Sequence, residues 1–210
     1  MFDAAIRKII DAPLARAASI ARQAGLTANG ATIGGFVIGM AALPLIAAHS
    51  YWAALAVILI SRFFDGLDGA IARQTRLTDF GGFLDITLDF IFYAGVVAAF
   101  ALADPERNAL AAAFLLFGFM GASATFLAFA IFAMKHGVTT DIRGRKSLYY
   151  LGGLSEGAET IGVFILSCLF PWAFPWIALV YGVMCLITAG TRIAAARDVF
   201  RDAPSKDEAA

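Results

Sequence analysis

The chain has 210 residues, 60% of them hydrophobic, and a mean hydropathy of +0.79, more apolar than a soluble domain. Its 16 basic and 16 acidic residues cancel to a net charge of +0, and no basic block could track a phosphate backbone, which excludes a nucleic-acid partner. Composition therefore predicts an all-α, polytopic membrane protein.

Residues 1–24 set Ile6, Ile9, Ile10, Leu14, Ala17 and Ile20 at helical spacing among Arg7, Lys8, Arg16 and Arg22. Those charges interrupt every apolar core that a secretory signal would need, so an amphipathic helix on the membrane surface is expected, with Pro13 as its bending point. Six stretches then suit a hydrocarbon core of about 30 Å. They fall at 29–48, 52–73, 81–103, 109–134, 148–170 and 174–196, followed by a polar tail over 197–210. The whole chain, 1–210, reads as a single domain without internal repeats. Cys168 and Cys185 lie in apolar runs without metal or redox spacing and read as small core residues; His49 and His136, each alone near a span end, read as interfacial polar residues. All but two of the 16 Lys and Arg residues fall on one side of this topology, the exceptions being Arg107 and the in-span Arg62. The positive-inside rule puts that side, and both termini, in the cytoplasm.

Six carboxylates fall inside the expected spans: Asp65, Asp68, Asp85, Asp89, Glu156 and Glu159. Each would cost about 2.5–3.5 kcal/mol at a helix centre, so their concentration requires a cation or a water-filled cavity. Asp65, Asp68, Gly69, Ala72 and Arg73 recur at helical spacing and form one stripe; Gly81, Asp85 and Asp89 form another on the next helix. A short connection makes these helices antiparallel neighbours. The four aspartates then face one another at one depth, as hard oxygen ligands for one or two Mg²⁺ or Mn²⁺ ions. Gly69, Ala72 and Gly81 leave room beside them for a nucleotide diphosphate, and Arg73 adds a cation at the mouth.

This string, D-x2-D-G-x2-A-R followed after seven residues by G-x3-D-x3-D, resembles the signature of the CDP-alcohol phosphotransferases, also called CDP-alcohol phosphatidyltransferases. The resemblance covers residues 65–89, and the segment Leu26 to Thr32 is similar to the family's entry into its first span, with Ala28 where a proline is common. It implies phospholipid biosynthesis by transfer of a phosphatidyl-type group from a CDP-linked lipid, CDP-diacylglycerol, to an alcohol acceptor with release of CMP. Asp65, Asp68, Asp85 and Asp89 would hold the metals, two per site, and Asp89 would also take the proton of the attacking hydroxyl. Asp65, Gly69, Ala72, Arg73 and Gly81 would bind the CDP-lipid. A homodimer is implied too, in a bacterial inner membrane with the active site facing the cytoplasm.

For the acceptor, Lys135, Arg145 and Arg192 lie toward the cytoplasmic ends of later spans and would favour a phosphorylated alcohol; equally, they are ordinary positive-inside residues. Glu156 and Glu159 would favour an amino-alcohol if they face the same cavity. Arg62 is expected as a structural counter-ion for a glutamate. An ion- or proton-coupled transporter would place its acids near the midplane or string them across the bilayer. An intramembrane prenyltransferase would carry two separated acidic motifs.

Overall fold

The computed structural model describes the backbone of residues 3–136 and 153–201, and side chains from residue 12 onward within them. Over these residues the chain forms eight α-helices: α1 (Asp3–Gln23), α2 (Ala28–Met40), α3 (Ala42–Ala47), α4 (Tyr51–Gln74), α5 (Asp79–Ala103), α6 (Pro105–Lys135), α7 (Gly157–Leu169) and α8 (Phe174–Phe200). No strand occurs among them. Four helical stretches are long and apolar enough to cross a membrane: Ala28–Ala47, Asp79–Ala103, Pro105–Lys135 and Pro171–Phe200. With this composition, the chain is an integral membrane protein.

Two of the expected spans differ from expectation. The first is realised over Ala28–Ala47 but breaks at Ala41, because Pro44 has no N–H for the Met40 carbonyl and its ring crowds that carbonyl. Of the fifth, expected over 148–170, residues 148–152 lie outside the described residues; residues 153–156 are non-helical and α7 starts at Gly157, with Glu156 extended as its N-cap (φ −114, ψ 178). The non-helical backbone before it is satisfied from another helix: Leu154 and Ser155 N–H groups donate to Thr188 Oγ1 on α8 at 3.0 and 3.2 Å. Any side chain at Gly153 would collide with Thr188. α4 has the length of a span at 24 residues but carries Arg62, Asp65, Asp68 and Arg73, so its polarity belongs to the site rather than to lipid.

Small residues set the helix spacing around α4. Ala31, Gly35 and Gly39 make one buried stripe on α2, and a Cβ on Gly35 would stand 2.8 Å from Phe64 Cβ and 3.3 Å from the Ser61 carbonyl oxygen. This close approach holds α2 against the aspartate-bearing face of α4. The same device joins α6 to α8, where a Cβ on Gly118 would stand 2.8 Å from the Gly182 carbonyl oxygen. α1 lies against the C-terminal half of α4, burying Ala18 with Leu67, Ala70 and Ile71. Gln74 fastens it by donating Nε2 to the Ala15 carbonyl at 2.8 Å and accepting from Ser19 Oγ at 3.1 Å.

The main core runs through the bundle beyond the aspartates. Phe92 and Phe164 meet edge to face, and Phe100 stacks on Phe174 with centroids 4.5 Å apart. Cys168 and Cys185 are buried free thiols in this core, as expected. Trp52, Trp172 and Trp176 are all strongly exposed and cluster at the end opposite the aspartates, the placement of an interfacial aromatic belt.

Candidate active site

α4 and α5 are joined through residues 75–78 but, against the expectation of direct neighbours, both pack on α2 rather than closely on each other, and Thr78 caps α5 by accepting from the Gly81 N–H at 3.1 Å. Their facing side chains bring the two acidic stripes together. One carboxylate oxygen each from Asp65, Asp68 and Asp85 lies within 4.8 Å of the others. Asp68 is buried, Asp65 half-buried and Asp85 exposed, so the cluster opens outward past Asp85 and the exposed Arg73. Thr32 on α2 donates its hydroxyl to the Ala28 carbonyl at 3.0 Å, and Asp68 Oδ2 is buried without a donor among the described residues. A buried carboxylate oxygen without a partner is costly. Three converging hard oxygens, with a partnerless buried oxygen on Asp68, fit a divalent ion such as Mg²⁺ or Mn²⁺.

Asp89 stands beside this set with different partners. Arg62 Nη1 donates to Asp89 Oδ1 at 2.8 Å and lies 3.5 Å from Asp65 Oδ1. Tyr93, one turn along α5, donates its hydroxyl to Asp89 Oδ2 at 3.1 Å. Arg62 thus pairs with two aspartates, not with a glutamate as expected: its position three residues before Asp65 and across from Asp89 leaves both within reach. A cavity of about 10 Å³ lies among these groups, lined by Thr32, Ser61, Arg62, Asp65, Asp85 and Asp89. Its volume matches about one water molecule.

The small residues divide into two kinds. Among the described residues, a Cβ on Gly69 would meet only the Arg73 guanidinium, at 3.3 Å, so the space beside it is open to a ligand. A Cβ on Gly81 would stand 3.0 Å from Thr78 Oγ1 and 3.2 Å from Asn29 Oδ1, which makes Gly81 the contact between the starts of α5 and α2. Ala72 is half-buried one turn from Asp68 on the same stripe.

Among the described residues, Lys135, Arg192, Glu156 and Glu159 are not in the lining of the aspartate cavity. Lys135 is exposed in the last turn of α6. Arg192 is buried against α6, donating Nη1 to the Ala122 carbonyl at 2.8 Å with its guanidinium 5.5 Å from the Phe126 ring centroid. Arg145, with Arg143 and Lys146, lies outside the described residues. Glu156 is not inside a helix as expected: it precedes α7, and its Oε1 accepts from the Gly153 N–H at 3.1 Å. Glu159 lies in the first turn of α7. Three residues given no role by sequence reasoning, Thr32, Ser61 and Tyr93, belong to the site. Tyr93 carried a signal, since it continues the four-residue spacing of Gly81, Asp85 and Asp89.

Residues 25–188 match the profile of the CDP-alcohol phosphatidyltransferase family. The chain is 54% identical over 169 residues to inner membrane protein YnjF of Escherichia coli, covering 80% of this chain and 82% of that one. It is 35% identical over 103 residues to the archaetidylinositol phosphate synthase of Pyrococcus horikoshii, 49% of this chain and 55% of that one. Among solved structures, it superimposes on the phosphatidylinositol phosphate synthase of Mycobacterium tuberculosis with CDP-DAG bound, with a TM-score of 0.70 and 25% identity over 88% of this chain and 93% of that one. A structure of the same enzyme with manganese and citrate gives a TM-score of 0.70 and 25% identity over 86% and 87%. With its signature residues assembled on α4 and α5 and its fold shared with a synthase of this kind, the chain belongs to the CDP-alcohol phosphatidyltransferase family and is a transferase of phospholipid synthesis.

Proposed function

We propose that the protein transfers a phosphatidyl-type group from CDP-diacylglycerol to a phosphorylated alcohol in a metal-dependent reaction that releases CMP. The observation that carries this reading is the convergence of Asp65, Asp68 and Asp85 oxygens within 4.8 Å, with Asp68 Oδ2 buried and unsatisfied. The neighbours solved with CDP-DAG and with manganese support both the lipid donor and the ion. Bound by the three carboxylates, Mg²⁺ or Mn²⁺ supplies neutralising charge for the diphosphate and the transferring phosphoryl group. Gly69 and Ala72 leave the stripe beside Asp65 and Asp68 open for the cytidine diphosphate, and Arg73 adds a cation at the exposed end.

The acceptor hydroxyl oxygen bonds to the phosphorus that carries the lipid, and the bond from that phosphorus to CMP breaks. The hydroxyl proton passes to Asp89, whose carboxylate stands beside the three ligands and is held by Arg62 and Tyr93. A phosphorylated polyol as acceptor is supported by the names of two relatives, both inositol phosphate synthases. The basic residues at the aspartate end, with the tryptophans at the other, support a cytoplasmic active site.

The test uses purified full-length protein with labelled CDP-diacylglycerol, Mn²⁺ or Mg²⁺, and a panel of neutral, amino and phosphorylated alcohols, with lipid products identified by mass. CMP release coupled to a phosphorylated-headgroup lipid is expected, and chelator should stop it. Full turnover in chelator would remove the metal from the reading; no product with any alcohol would remove the reaction.

A further inference from the structure

We propose that Arg62 is a positioning residue with two tasks: it fixes the Asp89 carboxylate for proton transfer, and as a permanent cation beside Asp65 it restrains the affinity of the aspartate cluster for its divalent ion. The proposal rests on the reading of Asp65, Asp68 and Asp85 as ion ligands and Asp89 as base.

Arg62 is held from four directions. Nη1 donates to Asp89 Oδ1 at 2.8 Å and lies 3.5 Å from Asp65 Oδ1. Nη2 donates to Ser61 Oγ at 3.2 Å, and the guanidinium carbon lies 4.8 Å from the centroid of the Phe92 ring. Ser61 and Phe92 are themselves fully buried, and the Arg62 side chain is only 15% exposed, so the guanidinium has little freedom to swing away. Arginine suits this place because its planar fork serves two acceptors at once and cannot lose its charge.

The geometry has opposite consequences for the two functions. For Asp89, bonds to both oxygens, from Arg62 and Tyr93, fix the carboxylate plane, which favours a productive proton-transfer geometry. For the ion, a positive charge beside one of three ligands repels a second positive charge a few ångströms away. Replacing Arg62 by an uncharged side chain of similar length should therefore weaken turnover and strengthen ion binding together. A merely structural residue would not yield that combination, because a loosened site loses both.

The experiment measures Mn²⁺ binding by electron paramagnetic resonance and kcat for CDP-diacylglycerol turnover on purified full-length protein. Arg62→Met is expected to bind Mn²⁺ about tenfold more tightly while kcat falls by at least about tenfold. Arg62→Lys, which keeps the charge and loses the fork, is expected to hold Mn²⁺ within about twofold of the parent and still lose kcat. Unchanged or weaker Mn²⁺ binding in folded Arg62→Met overturns the proposal. If Arg62→Met does not fold, wild-type kcat in Arg62→Lys overturns it. Asp65→Asn separates this from the underlying reading: Mn²⁺ binding that survives Asp65→Asn removes the metal site itself, whatever the Arg62 variants do.

Discussion

A methyl group on Gly35 of α2 would stand 2.8 Å from Cβ of Phe64 on α4, the residue immediately before Asp65. The helices therefore touch almost backbone to backbone where the acidic stripe begins, and Thr32, one turn earlier on α2, lines the cavity with Asp65, Asp85 and Asp89. Gly35→Val should force the helices apart, costing about 1–3 kcal/mol as overpacking and carrying Thr32 away from the aspartate cavity. Gly34, beside it, has nothing within 4 Å of the same added atom, so Gly34→Val should keep stability and turnover. Thermal inactivation of both variants in detergent checks the contrast; equal behaviour would show that the approach is not restrictive.

Asp89→Asn should lower turnover by about 10²-fold or more, through loss of the group that accepts the hydroxyl proton. Mn²⁺ should still bind, because Asp65, Asp68 and Asp85 remain and Asp89 lies outside their 4.8 Å group. Asp68→Asn should reverse the pattern, losing ion affinity first. Paired measurements of turnover and Mn²⁺ binding decide between a base and a ligand: if Asp89→Asn abolishes Mn²⁺ binding, Asp89 is a ligand.

Gly69→Leu should leave the protein folded, since the added Cβ meets only the flexible end of Arg73, at 3.3 Å. It should raise the KM for CDP-diacylglycerol, because the new side chain projects along the stripe beside Asp65 and Asp68. Ion affinity should change less. An unchanged KM with a normal melting temperature would move the nucleotide off this stripe.

The acidic stripes were legible because their partners are local: residues three and four apart share a helix face whatever the rest of the fold does. Six carboxylates in an apolar chain had to be explained by a cation or water. Arg62 was not legible in the same way. Its separation of three from Asp65 was visible, but its bond to Asp89, 27 residues on, depends on the relative depth of α4 and α5. The late start of α7 was hidden for a similar reason. Residues 148–151 are apolar enough to join a span, and the groups that satisfy the non-helical backbone after them sit on Thr188, 34 residues from Leu154. Hydropathy counts apolar side chains and is blind to a distant hydroxyl that makes an unwound segment tolerable.

Among the described residues, the hydrogen bonds between α1 and α4 run through Gln74, which bonds Ala15 and Ser19 and whose carbonyl accepts from Arg22 Nη1 at 3.4 Å. Gln74→Ala removes the side-chain bonds, each worth about 0.5–1.5 kcal/mol, and keeps the apolar contact of Ala18 with Leu67 and Ile71. Amide exchange in α1 should accelerate while α5 and α8 keep their protection. Equal acceleration everywhere would mean that α1 docking is part of the global fold.

The acceptor is decided by residues on other helices, and there Arg192 gives the sharpest test. Its guanidinium already donates to the Ala122 carbonyl and packs on Phe126, so Arg192→Ala must cost stability at the α6–α8 contact. That cost alone would lower kcat for every substrate alike. If Arg192 also meets the phosphate of the acceptor, the loss should fall on one substrate: kcat/KM for a phosphorylated alcohol should drop by roughly tenfold or more, as for a charge-assisted bond of about 1.5–3 kcal/mol, while the KM for CDP-diacylglycerol stays put. Glu156 supplies the opposing arm. Its Oε1 is engaged by the Gly153 N–H, which marks it as a cap for the unwound segment before α7. Glu156→Gln should therefore leave acceptor choice unchanged. If instead Glu156→Gln alters selectivity and Arg192→Ala affects all alcohols equally, the phosphorylated acceptor gives way to an amino-alcohol, because a carboxylate rather than a guanidinium would then be reading the headgroup.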